Sequence, residues 1–183
     1  MLHQRILAEA FALAQENGYY NVAIKEVAKR SKVSRQTIYR RWPTKQALLL
    51  EVVREQLLQS VVATPSQAIN LESYLCHLFE VGRKKTGDIL MGVLMATEQD
   101  SWLFSDVRQL INTRRFLLEQ VIEQDARIHH YSYRVPVSVV AEILAASMWY
   151  RVLFKVKPLD DAFAHTLADT VAALRISEGD SMG

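Results

Sequence analysis

The segment IKEVAKRSKVSRQTIYRRWPTK, residues 24–45, carries eight basic residues against one acidic residue. Within it, Ile24, Val27 and Ala28 recur at helical spacing, so a first short helix can bury one face. Ser34 is suited to begin a second short helix, because its hydroxyl can accept from the backbone N–H groups of the first turn. The segment therefore predicts two short helices joined by a tight turn.

The second short helix has an inner and an outer side. Ile38 and Trp42 lie one turn apart, and we expect them to anchor the helix inward. Pro43 ends it, because proline lacks the N–H donor and biases the preceding residue away from helical geometry. The remaining side chains are expected on the surface: Gln36, Thr37, Tyr39, Arg40 and Arg41. A basic helix of two turns has the size of a recognition helix that enters a DNA groove.

Outward from this segment, helical periodicity dominates and strand signals are nearly absent. Apolar residues recur three or four positions apart over residues 2–17, 45–62, 71–85, 88–99, 105–125, 137–155 and 160–174. Gly18 is suited to end the first of these helices, and the Thr64-Pro65-Ser66 stretch to break the second. The sequence therefore predicts an all-α fold without internal repeats.

Charge is distributed unevenly along the 183 residues. Residues 1–60 hold ten Lys and Arg against five Asp and Glu, whereas residues 61–183 hold twelve against fifteen. A basic N-terminal third favours a nucleic-acid partner for that part of the chain. The single cysteine, Cys76, suits a reducing compartment, and neither an export signal nor an apolar run long enough for a bilayer is evident. We therefore expect a cytoplasmic protein with no membrane partner.

Several residues of the N-terminal third match a known pattern in type and spacing. The pattern consists of an apolar first helix followed by Gly18-Tyr19, Val27-Ala28, Val33-Ser34, Ile38-Tyr39, Trp42, Lys45 and Leu48. In these residues the chain resembles the DNA-binding domain of the TetR family of transcriptional repressors. The remainder resembles the family's ligand-binding domain more loosely, best over residues 148–163.

Two positions depart from the family pattern. Lys32 stands at a turn position where the family usually has glycine, and a positive φ there would cost on the order of 1 kcal/mol. Ala23 stands where a hydroxyl residue usually begins the first short helix, and its methyl group can neither cap nor donate to phosphate. Whether Asn21 replaces the missing cap is left open by the sequence.

The resemblance implies an architecture and a function. It implies a three-helix helix-turn-helix DNA-binding domain over residues 1–46 (the headpiece), a helical ligand-binding and dimerisation domain over residues 47–177 (the body), and a tail over residues 178–183. We expect a homodimeric repressor that binds a near-palindromic operator in double-stranded DNA and is released by a small-molecule effector. The alternative is a small-molecule-binding or catalytic helical protein with an incidental basic N-terminus. A steep salt dependence of duplex binding would separate the two.

The candidate DNA contacts fall into groups by their position on the two short helices. Base contacts are expected from the outer residues near the start of the second helix: Gln36, Thr37 and Arg40. Phosphate contacts are expected from residues flanking the groove: Lys25, Tyr39, Arg41 and Lys45. Ser34 and Arg35, at the start of the second helix, complete the predicted set.

Aromatic and thioether side chains in the body could line an adaptable apolar effector site. The candidates are Phe79, Met91, Met95, Trp102, Phe116, Met148 and Trp149. The same apolar stripes could instead be core, since such stripes usually pack on other helices. An effector among these residues is expected to displace the helix over residues 45–62.

The last two long helices are rich in apolar residues beyond what one helical layer needs. We expect them to pair with the same helices of a second copy as a four-helix bundle. The candidate interface residues are Val140, Leu144, Met148, Arg151, Phe163, Leu167 and Val171.

Metal and catalytic motifs were sought and none is predicted. His129-His130 lack further ligands at suitable spacing and are more simply surface residues near a loop. The two-glycine spacing of residues 82–87 suggests a phosphate loop, but Asp88 and Ile89 follow where Lys and Ser or Thr are needed. We therefore expect neither a cofactor nor an enzymatic activity.

Overall fold

The computed structural model describes residues 2–62, 70–81, 83, 86–98 and 101–177. The elements, in chain order, are α1 (Leu2–Asn17), a 3-10 turn (Tyr19–Asn21), α2 (Ile24–Arg30), α3 (Arg35–Arg41), α4 (Lys45–Val62), α5 (Leu71–Val81), α6 (Gly87–Met95), α7 (Trp102–Ile128), β1 (Tyr131–Tyr133), α8 (Val137–Phe154), α9 (Asp161–Ala172) and β2 (Arg175–Ser177). The predicted all-α fold with an N-terminal helix-turn-helix is confirmed. The predicted break at residues 64–66 and the tail at residues 178–183 lie outside the described residues.

Helix α1 ends at Asn17, as its sequence predicts. Gly18 follows with φ 78°, a left-handed value that glycine adopts without steric cost, and its N–H donates to the carbonyl of Ala14 at 2.9 Å. The spacing of its apolar residues predicts Ile6, Leu7, Ala10, Phe11 and Ala14 as the inner side, and all are buried except Phe11, which is half-buried. Leu13 takes part in the core instead, at 2% exposure. The glycine therefore turns the chain sharply from α1 toward α2.

The bounds of the later helices depend on their caps. Helix α7 begins at Trp102 rather than near residue 105, because the Ser101 hydroxyl accepts from the N–H of Phe104 at 3.2 Å. Helix α9 begins after Asp160, whose carboxylate accepts from the N–H of Phe163 at 2.9 Å. Helix α5 begins at Leu71, as predicted, and the side chain of the preceding Asn70 caps its first turn. The sequence signals for these starts are therefore local side-chain caps.

The chain forms two compact units. The first comprises Met1–Gln59 with Lys84–Leu110, and the second comprises Ser60–Arg83 with Ile111–Gly183. The first unit thus contains α6 and the first turns of α7 as well as the headpiece. The predicted domain boundary at residue 46 stays a prediction.

The second unit has an apolar core built from four helices. Its fully buried side chains include Phe79 of α5, Ile122 of α7, Leu144 of α8 and Val171 of α9. Phe79 stacks on Phe163 with ring centroids 5.6 Å apart. The apolar stripes of these four helices therefore meet one another, which is the ordinary structural reason for such stripes.

Two short strands, β1 and β2, were not predicted. They pair antiparallel, with Tyr131 opposite Ser177 and Tyr133 opposite Arg175. Three residues on each side are too few for a periodic signal in the sequence. The pairing instead depends on residues that are far apart in the chain.

A buried carboxylate ties this small sheet to the end of α7. Asp125 is only 2% exposed, yet its side chain accepts from the Tyr131 hydroxyl at 2.7 Å and lies 3.3 Å from Nη2 of Arg175. Nδ1 of His129 lies 3.0 Å from its other oxygen. Burial, followed by the hydrogen bonds to Tyr133 and Asp125, raises the pKa of Tyr131 above its ordinary value. The carboxylate is therefore bonded from three positions in the chain.

No helix among the described residues is long and apolar enough to cross a membrane. His129 and His130 are exposed, as predicted. Within the described ranges, no three His, Cys, Asp or Glu side chains are grouped so that they could hold a metal ion.

Candidate nucleic-acid interface

The start of helix α3 is fixed by its own sequence. Ser34 has extended backbone geometry, and its Oγ accepts from the N–H of Thr37 at 3.0 Å. The two hydroxyl oxygens, Ser34 Oγ and Thr37 Oγ1, are 2.9 Å apart. The predicted cap is confirmed. It also engages the Thr37 hydroxyl, so this half-buried residue is less free for a base than its neighbours.

The inner side of α3 is anchored by the two predicted residues. Ile38 is fully buried and Trp42 is 5% exposed. The Trp42 ring stacks on His3 of α1, with centroids 5.3 Å apart and an interplanar angle of 15°. No sequence signal links His3 to Trp42, because their contact joins the two ends of the headpiece. The stacking holds the turn after α3 against α1.

The outer side of α3 is polar and exposed. Gln36, Arg40 and Arg41 are exposed, and Tyr39 is 47% exposed. Arg35 is exposed on the first turn as well. The predicted contacts of α3 are therefore exposed on one short helix, except the half-buried Thr37, whereas Lys25 and Lys45 lie on α2 and α4.

The turn between α2 and α3 adopts the strained conformation expected for Lys32. Its φ is 53°, a left-handed value that costs a non-glycine residue energy. Beside it, Ser31 is fully buried and its hydroxyl donates to the carbonyl of Val27 at 2.6 Å. The N–H of Val33 donates to the carbonyl of Ala28 at 3.0 Å. These bonds close the turn despite the strain and leave the Lys32 side chain exposed.

The start of α2 lacks a side-chain cap. Ala23 occupies the capping position in extended geometry and forms no side-chain hydrogen bond. Asn21 does not replace it, because Nδ2 of Asn21 donates to the carbonyl of Asn17 at 2.9 Å and so satisfies the end of α1. The question that the sequence left open is therefore answered: α2 begins uncapped.

The basic residues of α2 divide into paired and exposed groups. Both terminal nitrogens of Arg30 lie 2.8 Å from the carboxylate of Glu16, a bidentate pair. The hydrogen bond from Arg30 lowers the pKa of Glu16. Lys25 and Lys29 are exposed on the same helix. Arg30 therefore holds α2 against α1, whereas Lys25 remains available for the predicted phosphate contact.

Lys45 is held by the chain itself. Its Nζ donates to the carbonyls of Tyr19 and Tyr20 at 3.4 and 3.2 Å and lies 4.8 Å from the centroid of the Tyr19 ring. Burial lowers the pKa of this ammonium. The predicted role as a phosphate contact would require the ammonium to leave these carbonyls. The sequence does not predict this contact, because Lys45 follows Tyr20 by 25 positions and Tyr19 by 26 positions.

The Tyr19 ring is also covered by α6. A Cβ atom built on Gly92 would lie 2.1 Å from the ring, closer than any real contact. Gly92 is therefore required at this crossing of α6 with the 3-10 turn, because any side chain there would push the two apart. Tyr19 thus contacts both α6 and Lys45, the first residue of α4.

The residues predicted to bind an effector are divided between the two units. In the first unit, Met95 is 72% and Trp102 57% exposed, and Met91 is half-buried. In the second unit, Phe79 is buried in the core and Phe116 is 54% exposed. Met148 and Trp149 of the second unit are half-buried. The predicted effector site stays a prediction.

Four of the seven predicted dimer residues fill the core of their own chain. These four are Val140, Leu144, Leu167 and Val171, each at most 5% exposed. Their assignment to a dimer interface stays a prediction, since the sequence pattern does not distinguish the inner from the outer apolar side. Phe163 and Met148 pack beside the same core.

Arg151, the remaining predicted interface residue, interacts within its own chain. Its guanidinium lies 3.2 Å from the centroid of the Phe163 ring and donates to the carbonyl of Pro158 at 2.7 Å. A neighbouring side of α8 is exposed and apolar. Its residues are spaced by four, seven and four positions: Val139, Ile143, Tyr150 and Phe154, between 38% and 67% exposed. We call these four residues the outer stripe.

Comparison with known proteins identifies the relatives of this chain. The family model described as bacterial regulatory proteins, tetR family, matches residues 6–52. The model described as tetracyclin repressor-like, C-terminal domain, matches residues 61–171. An uncharacterized HTH-type transcriptional regulator of Mycobacterium tuberculosis is 27% identical over 171 residues, which cover 91% of this chain and 83% of the relative.

Solved structures agree in fold. A crystal structure of a TetR family transcription regulator is similar with a TM-score of 0.70 and 25% identity, covering 94% of this chain and 97% of the other. A putative transcriptional regulator from Rhodococcus is similar with a TM-score of 0.75 and 14% identity, covering 94% and 96%. Together with the helix-turn-helix geometry, these matches show that the chain belongs to the TetR family of DNA-binding transcriptional regulators.

Proposed function

We propose that this regulator is a homodimeric repressor that places one α3 helix in each of two major grooves of a near-palindromic operator. The observation that carries the proposal is the division of α3 into a buried side, Ile38 with Trp42, and an exposed polar side. A helix that is anchored in this way presents the same side chains to every duplex. This favours a DNA-binding role for the basic N-terminus over the alternative of an incidental charge.

Within this proposal, some outer residues of α3 contact bases and others contact phosphates. Gln36 and Arg40 are exposed one turn apart; the Gln36 amide can donate to and accept from base edges in the major groove, whereas the Arg40 guanidinium can only donate. Thr37 is proposed as a third base contact through its methyl group, since its hydroxyl oxygen lies beside that of Ser34.

Phosphate contacts are proposed from side chains that flank the groove. The exposed members are Lys25, Arg35, Tyr39 and Arg41. Ser34 belongs to the interface through the cap that fixes the start of α3. Lys45 joins the set if its ammonium exchanges the two carbonyls for a phosphate oxygen when DNA binds.

We propose that the outer stripe of α8 forms the centre of the dimer interface. Side chains spaced by four and seven positions lie on one side of a helix, and helices of two copies bury such stripes against each other. An isolated monomer would expose four large apolar side chains on one helix. Helix α9 is proposed to border this interface, because the last two long helices of two copies are expected to form a four-helix bundle.

The proposed release mechanism is an effector that binds the form of the dimer with low operator affinity. A preference of a few kcal/mol for that form is enough to empty most operators, because coupling between the two sites is reciprocal. Ligand-responsive repression is typical of the family. The protein would act in the cytoplasm, on the DNA, with the headpiece at residues 1–46 and the body at residues 47–177.

Selection of bound fragments from the genome of the source organism tests the proposal. We expect the recovered fragments to share an inverted repeat whose half-sites lie one helical turn apart. Binding to these fragments should weaken steeply with salt, since each neutralised phosphate releases counterions. Recovery of unrelated fragments, with an affinity that salt does not change, would contradict the proposal and favour the alternative hypothesis of a non-DNA-binding helical protein.

A further inference from the structure

The first unit contains a cleft beside the end of the recognition helix. The turn after α3, the first half of α4 and the start of α7 enclose a volume of about 370 Å³. Its floor is apolar and formed by side chains at most 9% exposed: Trp42, Ala47, Leu50 and Leu103. A volume of a few hundred Å³ with an apolar floor is typical of small-molecule sites.

One wall of the cleft is an exposed indole ring. Trp102, on the first turn of α7, is 57% exposed, whereas the next residue, Leu103, is buried. A tryptophan of this exposure presents a flat apolar face that water covers poorly. The face is suited to a planar aromatic partner.

The charged residues of the cleft are not fully paired. Nη1 of Arg54 lies 3.1 Å from a carboxylate oxygen of Glu51, so these two charges satisfy each other. Arg41 lies over the ring of Trp42 at 5.4 Å and forms no ion pair with the residues that the structure describes. Asp106 likewise has no ion pair or hydrogen bond among the described residues, although it is half-buried. Among the described residues, Arg41 and Asp106 therefore line the cleft without an ion pair.

We propose that this cleft binds a small aromatic zwitterion. Asp106 lies four residues after Trp102 and so on the same side of α7, where a ring stacked on the indole would bring its ammonium group near the carboxylate. The carboxylate of the ligand would pair with the guanidinium of Arg41. A ligand with a single charge pairs with only one of these two groups and leaves either the exposed Arg41 or the half-buried Asp106 without a charged partner.

Occupancy of the cleft would compete directly with DNA. Arg41 is the last residue of α3 and one of the proposed phosphate contacts, which rests on the function proposed above. A carboxylate bound to Arg41 removes that charge from the duplex. The ligand should therefore weaken DNA binding, and DNA should weaken ligand binding by the same factor.

Calorimetric titration of the full chain without DNA tests the site itself. The probes are L-phenylalanine, phenethylamine and 3-phenylpropanoate, which share one ring and differ in charge. We expect L-phenylalanine to bind about tenfold more tightly than either analogue, because one charge-assisted hydrogen bond is worth roughly that factor. Equal affinities for the three probes, or no heat from any of them at about 10 mM, would overturn the proposal.

Asp106→Asn identifies the cleft as the location of binding. The substitution keeps the shape of the side chain and removes its charge, so L-phenylalanine affinity should fall about tenfold while that for 3-phenylpropanoate stays the same. Asp169→Asn, on the exposed side of α9, is the matched control and should change neither affinity. If both variants bind L-phenylalanine as the wild type does, the ligand lies elsewhere and the proposal is wrong.

A separate measurement distinguishes this proposal from the proposed function. Duplex binding of the ligand-free protein reports the function, whereas the titrations without DNA report the cleft. If duplex binding and the titrations both give the expected results, L-phenylalanine at a concentration near its wild-type Kd should weaken duplex binding of the wild type more than that of Asp106→Asn. Unchanged duplex affinity of the wild type would overturn the competition at Arg41.

Discussion

Helix α3 has one apolar side, whereas α8 is apolar on two neighbouring sides, one buried and one exposed. In α3, Ile38 is buried and the residues around it are polar, so the sequence alone assigns each side. In α8, Leu144 is fully buried while its neighbour Ile143 is 38% exposed, although the two have nearly the same hydrophobicity. Polarity therefore orients a surface helix, but hydrophobicity by itself does not say which protein chain covers it.

Adjacent alanine substitutions in α8 test this difference most strongly. Leu144→Ala should lower the free energy of unfolding by about 2–5 kcal/mol, because it leaves a cavity in the core of the chain. Ile143→Ala should cost less than about 1 kcal/mol under monomeric conditions, since its side chain is not fully enclosed. Urea unfolding at several protein concentrations measures both values. Equal losses would contradict the assignment of inner and outer sides.

Removal of one aromatic ring from the outer stripe tests whether this side of α8 forms the dimer interface. Tyr150→Ala should weaken dimerisation by about 2 kcal/mol, or roughly 30-fold in Kd, as expected for an aromatic residue central to an interface. Sedimentation equilibrium measures the change. Gln109→Ala, exposed on α7, serves as the control. A Kd that Tyr150→Ala leaves unchanged would place the interface on another surface.

On α3, substitutions of the polar side should change specificity rather than stability. Gln36→Ala or Arg40→Ala should reduce discrimination at one base pair by about 1–3 kcal/mol. The stability of the fold should stay the same, because both side chains are exposed. Lys29→Ala is the matched control, since its exposed charge lies on α2. Binding assays with single-base operator variants measure the effect, and equal losses on all duplexes would argue against base contacts.

Single substitutions at the capping positions of α3 and α2 compare a capped with an uncapped helix. Ser34→Ala should destabilise the first unit by about 1 kcal/mol, because it removes the acceptor for the N–H of Thr37. Ala23→Ser should stabilise it by a similar or smaller amount, since Ala23 already has the extended geometry of a capping residue. Thermal unfolding followed by circular dichroism measures both shifts. A gain from Ser34→Ala would show that the cap does not limit stability.

Lys45→Ala should have the smallest effect of these substitutions. Its effect on the salt dependence of operator binding shows whether the Lys45 ammonium contacts a phosphate. If Nζ exchanges the carbonyls of Tyr19 and Tyr20 for a phosphate, the slope of log K against log salt should flatten by about one unit. If Lys45 only holds the 3-10 turn, operator affinity should fall while the slope stays the same. Binding isotherms at four salt concentrations measure the slope. The second outcome would remove Lys45 from the proposed phosphate contacts.

The features predicted from sequence are those in which cause and effect lie within one helical turn. The Ser34 cap and the inward side of Ile38 and Trp42 depend on neighbours three or four residues away. Each of these predictions is confirmed. The start of α7 was predicted three residues too late, because the side chain of Ser101 caps the helix through the N–H of Phe104.

The features that sequence did not predict join residues distant along the chain. His3 meets Trp42, Lys45 meets the carbonyl of Tyr20, and Gly92 meets the ring of Tyr19. The residue types next to His3, Lys45 or Gly92 in the sequence do not indicate a partner that lies far away along the chain. The same applies to α8, where the choice between core and interface depends on which helices pack against it.

The buried Asp125 sets a limit on how far the chain can be shortened. Its carboxylate relies on Arg175, which lies 50 residues later and only two residues before the end of β2. Truncation before Arg175 would remove β2 and leave a buried negative charge facing only Tyr131 and His129. Shortened variants and fusions for solution studies should therefore retain the chain through Ser177, even though the last long helix already ends at Ala172.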